Sequence, residues 1–111
     1  MAIAPAPTIC GLYTRVSTRN QADTEYSSLE TQREKLEAYC KSQEQYVVYR
    51  VYEDAGFSAD TMNRPALKEL LQDIRAGRIT CVLAYKIDRL TRSVKDFHVL
   101  MDLFDRHGAK F

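Results

Sequence analysis

Four short apolar runs, separated by three stretches of helical periodicity, constrain this chain more than any other feature. The runs are "TICGLYTRV" (8–16), "YVVYRVYED" (46–54), "TCVLAYK" (80–86) and a beginning, "AKF" (109–111). Val, Tyr and Thr suit a pleated, half-buried surface. The unbroken apolar character of 80–86 fits a parallel strand covered on both faces. Residues 27–43 predict a helix opened by a Ser27–Glu30 capping box, with Leu29, Leu36 and Cys40 on one face. Residues 64–77 predict a second, with Pro65 at its first position, Gly77 as terminator and Leu67, Leu70, Leu71 and Ile74 turned inward. Residues 93–108 predict a third, capped by Ser93 and Asp96 and ended by Gly108, with Val94, Phe97, Leu100, Met101 and Phe104 inward. Strands alternating with helices imply an α/β, three-layer, Rossmann-like domain: a mostly parallel sheet of about four strands with helices on both faces.

A length of 111 residues suits one domain. The net charge of +1 argues against a continuous basic stripe but leaves room for a local arginine cluster. The three cysteines, Cys10, Cys40 and Cys81, form no CxxC pair and read as buried free thiols. His98 and His107 lack acidic or cysteine partners at ligand spacing, so no metal site is expected. No apolar run has the length of a membrane span, and "MAIAPAPT" reads as a flexible arm over residues 1–8 rather than a secretory signal.

Ligands of parallel sheets sit beyond the carboxyl ends of the strands. Arg15 and Ser17 follow the first strand; Asp88, Arg89 and Arg92 follow the third, in a turn before the next helix. Arg89 and Arg92 are three apart, so one helical turn would point both the same way. Forked guanidinium donors beside a helix N-terminus suit phosphate. Arg64 precedes Pro65 where a helix begins; taken alone it reads as a surface arginine at an anion-friendly position. Gln32 lies on a face that should be buried, so its amide either satisfies a loop or reaches the site. The chain has no GxSxG elbow, no P-loop and no GxGxxG fingerprint, and neither histidine follows a strand, which disfavours a Ser–His–Asp triad. There remains a serine ringed by arginines and one aspartate. Such a set suits nucleophilic phosphoryl transfer, because guanidiniums stabilise a phosphorane-like transition state and favour the alkoxide. A non-catalytic phosphate- or nucleotide-binding α/β module is the alternative; it would not need the serine.

The blocks "YTRVST" (13–18), "SLETQRE" (28–34), "YEDAGFSADTMNRPAL" (52–67) and "YKIDRLTRS" (85–93) resemble, in order and near spacing, those of the serine recombinases. The last two most resemble the large integrase and transposase branch. The resemblance spans residues 9–111. It implies that Ser17 is a nucleophile that forms a 5′-phosphoserine link with DNA, and that Arg15, Arg64, Arg89 and Arg92 bind the scissile phosphate. Gln32 matches an active-site glutamine, and Asp88 an aspartate that moves a proton or orients an arginine. Tyr13 matches a position of structural role. No cofactor or metal is implied.

Partners implied are double-stranded DNA at specific recombination sites and further copies of the protein, as dimer and tetramer, in a bacterial or phage-derived cytoplasmic setting. Family catalytic domains continue into a long dimerisation helix and then DNA-readout domains. Residues 9–111 are therefore expected to be a C-terminally truncated catalytic domain that binds DNA weakly by itself.

Overall fold

The computed structural model describes residues 7–16, 29–56 and 61–111. Three parallel strands, β1 (Thr8–Val16), β2 (Tyr46–Ala55) and β3 (Cys81–Ala84), form a sheet of order β2-β1-β3. Among the described residues four helices accompany them: α1 (Leu29–Ser42), α2 (Pro65–Arg75), α3 (Ile87–Leu90) and α4 (Val94–Arg106). The expected fourth strand is a single parallel bridge, Lys110 to Cys81. Val82 N donates to Lys110 O at 2.7 Å, and Lys110 N to Thr80 O at 3.0 Å.

The side-chain alternation of β1 divides the core. Cys10 and Leu12, with Cys81 beside them, pack against Leu36 and Cys40 of α1. Tyr13, with Tyr52 and Val82, faces Leu67, Leu70, Leu71 and Ile74 of α2 and Leu100 and Phe104 of α4. One strand thus serves two layers, because successive side chains point to opposite faces. Gly11 lies on the second face, where a Cβ would come within 2.9 Å of Ile79 Cδ1 and 3.0 Å of Leu70 Cδ1. The strand can approach α2 closely only without a side chain there. The register against β2 skips Tyr49, since Cys10 pairs with Val48 and Gly11 with Arg50.

The described elements follow their sequence signals with four corrections, three in helical segments and one in a strand. Pro65 opens α2, and Gly77 follows its end at φ 77°. Ser93 caps α4 by accepting from Asp96 N at 3.2 Å. Val94, expected inward, is 74% exposed; it is the first residue of the helix, next to the Ser93 cap. The third strand stops at Ala84 rather than 86. Asp88 and Arg89 lie not in a turn but in the one-turn helix α3, too short to show a period in sequence. Thr91 is extended (φ −161°, ψ 152°), so Arg89 and Arg92 do not share a helical turn. Ser27 of the expected capping box lies outside the described residues. Cys10, Cys40 and Cys81 are buried and free, and His98 and His107 are exposed.

Outside the site, Tyr52 donates to Asp73 Oδ2 at 2.6 Å and Arg78 binds Asp73 Oδ1 at 2.9 Å. The Tyr52 hydrogen bond, helped by Arg78 and Arg50, holds the Asp73 carboxyl below its ordinary value. A carboxyl lowered in the fold stabilises above its unfolded value, about 3.9, and ceases to do so as pH falls through the folded value. Asp73→Asn is therefore expected to lower stability at neutral pH and to flatten the loss of stability below about pH 4, read by urea titration across pH. Gly11→Ala is expected to cost about 1–3 kcal/mol by overpacking, and Leu70→Ala about 2–5 kcal/mol, in the same measurement.

Candidate active site

Residues from β1, from the start of α2 and from α3 meet beyond the carboxyl ends of β1 and β3. The local cause is α3. A single helical turn satisfies little of its own backbone, and its last carbonyls need outside donors. Ile87 O accepts from Thr91 N at 3.0 Å. The other three carbonyls are taken by two arginines that are themselves fully buried. Arg15 donates from Nη2 to Asp88 O (2.8 Å) and from Nε to Arg89 O (2.9 Å). Arg64 donates from Nη2 to Leu90 O (2.5 Å) and from Nη1 to Arg89 O (3.4 Å). Its Nε donates to Thr61 O (2.8 Å). Arg64 is therefore not a surface arginine. Pro65 holds it extended (φ −127°, ψ 126°), and its side chain turns inward beneath α3.

Tyr13 and Asp54 extend this network. Arg64 Nη1 donates to the Tyr13 hydroxyl at 2.9 Å, and that hydroxyl donates to Asp54 Oδ2 at 2.7 Å. Asp54 also accepts from Ala66 N (2.9 Å, Oδ1) and Leu67 N (3.0 Å, Oδ2). It serves as the cap that α2 lacks locally, since Arg64 at the N-cap position makes no side-chain cap bond. Burial, then the bond to Asp54, pushes the Tyr13 phenol well above its usual range, against the opposing pull of Arg64. Sequence reasoning missed Asp54. The signal was a Pro-led helix with an arginine, Arg64, at its N-cap position, which must draw its cap from another residue.

Gln32 satisfies backbone. It is fully buried; its Oε1 accepts from Arg15 N at 3.2 Å and its Nε2 donates to Arg15 O at 3.1 Å. This paired amide contact clamps the end of β1 two residues before position 17. Ser17 itself lies outside the described residues. Asp88 Oδ1 is buried with no hydrogen-bond partner among the described residues. The Arg89 side chain is half-buried, and Arg92 is exposed just before the Ser93 cap of α4. Burial lowers the Arg15 pKa, and the charges of Arg64, Arg92 and Arg89 lower it further. Thus Arg15, Arg64, Arg89 and Arg92 act on one region of the sheet edge, where an anion would be stabilised by several cations. Among the described residues no group of three His, Cys, Asp or Glu side chains is placed to hold a metal.

Comparison with known proteins bears on the family and the fold. Residues 10–111 match the family described as "Resolvase, N terminal domain". The chain is 45% identical over 74 residues to "Uncharacterized immunity region protein 3" of Bacillus phage phi105, covering 67% of this chain and 88% of that protein. It is 37% identical over 91 residues to a Bacillus subtilis (strain 168) protein named "Putative DNA recombinase", covering 82% of this chain but only 17% of that protein. The N-terminal catalytic domain of TP901-1 integrase superposes with a TM-score of 0.83 at 38% identity, over 92% of this chain and 74% of that one.

Asp54→Asn removes one acceptor and sets an amide N–H against backbone donors. It is expected to cost about 1–3 kcal/mol in urea unfolding, whereas Glu53→Gln on the exposed side of β2 should stay within about 0.5 kcal/mol.

Proposed function

This chain belongs to the resolvase family of serine recombinases, and from that premise we propose that it is the catalytic domain of a site-specific DNA recombinase with Ser17 as nucleophile. Ser17 Oγ attacks a DNA phosphorus and loses its proton. The P–O3′ bond breaks, and the 3′-oxygen leaves as a hydroxyl after taking up a proton. The product is a 5′-phosphoserine link. Religation reverses the step by attack of a 3′-hydroxyl, and because the link conserves the bond energy it draws on no ATP. Two subunits cut the two strands of a site, and a tetramer exchanges the halves. Double-stranded DNA in a bacterial cytoplasm is the substrate setting. Among the described residues no helix is long and apolar enough to cross a membrane.

The observation that carries this reading is the convergence of Arg15 and Arg64 on the carbonyls of α3. It ties the strand end before Ser17 to the helix that bears Asp88 and Arg89. The arginines then divide in role. Arg15 and Arg64 are buried and position α3 while adding their field; Arg89 and Arg92 are the more accessible pair and would meet the phosphate oxygens. Asp88 would take or orient a proton, and Gln32 holds the backbone ahead of the nucleophile. The alternative, a phosphate-binding module without chemistry, would use the same arginines and leave Ser17 idle.

A duplex with a nick beside the cleavage position traps the covalent state, because the short strand diffuses away before religation. The chain, and a fusion supplying a DNA-readout domain, are expected to give a protein–DNA adduct that survives denaturation and disappears in Ser17→Ala. An adduct retained in Ser17→Ala overturns the nucleophile assignment. Arg89→Ala is expected to abolish the adduct yet leave the melting temperature nearly unchanged, because the backbone carbonyl of residue 89, not its side chain, holds Arg15 and Arg64.

A further inference from the structure

Beside the arginine cluster, two ammonium groups share one aromatic ring. Lys35 Nζ and Lys86 Nζ each lie 5.7 Å from the centroid of Tyr85. Lys35 stands on α1 one turn beyond Gln32, and Tyr85 and Lys86 link β3 to α3. Ala84 pairs with Tyr13, so this ring and its lysines lie at the carboxyl edge of the sheet, level with the last residues of β1. Both lysines are exposed. Among the described residues neither they nor Arg92 join an ion pair, whereas Arg33, Arg50, Arg78 and Arg106 do. Next to them a groove of about 320 Å³ is lined by Lys35, Leu36, Tyr39, Leu83, Ala84 and Tyr85. The ring holds two otherwise flexible cations at one place, and among the described residues no acidic side chain pairs with them. A chain of net charge +1 thus gathers positive charge on the side of the cluster where α1 meets β3.

We propose that Lys35, Tyr85 and Lys86 form a second phosphate contact, which grips the backbone of the DNA strand away from the cleaved phosphate. This rests on the reading of the chain as a DNA recombinase. The contact is independent of sequence: the ammoniums bind phosphate oxygens as point charges, and the apolar groove floor accommodates the sugar between phosphates. It orients the strand so that the scissile phosphate enters the arginine cluster.

The test is binding of a short labelled duplex of arbitrary sequence, followed by fluorescence anisotropy between about 50 and 200 mM salt. Each of Lys35→Gln and Lys86→Gln is expected to reduce the magnitude of the slope of log K against log salt by about 0.9, and the double variant by about twice that. Lys41→Gln is the control. It removes an exposed lysine from the last turn of α1, which runs back toward the amino ends of the strands, and should leave the slope unchanged. A double variant with the wild-type slope, an equal loss in Lys41→Gln, or no measurable binding by the unmodified chain at the lowest salt overturns the proposal. Failure of the recombinase reading looks different: the nicked duplex yields no serine-dependent adduct while the lysine-dependent slope persists. An adduct formed with wild-type salt dependence in the double variant rejects the second contact alone.

Discussion

Three backbone carbonyls at the end of a one-turn helix, and the two buried guanidiniums that satisfy them, hold the rest of this site in place. Four residues of helix have too few internal bonds to persist alone. Two cations removed from water have too few neutral partners unless carbonyls are aimed at them. Each solves the other's problem at the edge of the sheet. Arg15 comes from β1 and Arg64 from the residue before α2, so the two donors tie α3 to both layers of the fold.

The same interaction lets a nearly neutral protein bury two guanidiniums at one edge of its sheet. Arg15 and Arg64 are fully buried and donate to the backbone carbonyls of α3. The carboxylate nearest in the network, Asp54, is occupied by a tyrosine hydroxyl and two backbone N–H groups at the start of α2. It stabilises Arg64 through Tyr13 rather than by direct pairing. The tyrosine reads as a spacer that orients the guanidinium while keeping the carboxylate one bond away from it.

Much of the fold was legible because it follows from side-chain period. Cys10 and Leu12 against Tyr13, and the Leu67–Leu70–Leu71–Ile74 face of α2, sort into two cores as alternation and helical spacing require. Pro65, Gly77, Ser93 and Gly108 marked helix ends through their backbone chemistry. What stayed hidden was what period cannot encode. Helix α3 is shorter than any window that reveals periodicity. The inward turn of Arg64 depends on acceptors supplied by residues 61, 89 and 90. Asp54 caps a helix that begins eleven residues later. Val94 satisfies the spacing of an inward face but is the exposed first residue of its helix. The burial of Arg15 and Arg64 and the greater exposure of Arg89 and Arg92 emerged only from three-dimensional placement.

The cluster of Cys10, Cys40 and Cys81 carries a consequence of its own. Burial, strengthened by the neighbouring sulfurs, pushes the Cys10 thiol up to about 12, and burial raises the other two as well. Almost no thiolate exists while α1 covers the sheet, and electrophiles cannot reach the sulfur. Alkylation of these residues is thereby coupled to detachment of the helix whose Gln32 clamps β1. The molecule contains its own clock for that opening: the rate at which a maleimide or iodoacetamide tag accumulates on the native protein measures how often the central strand is unclasped.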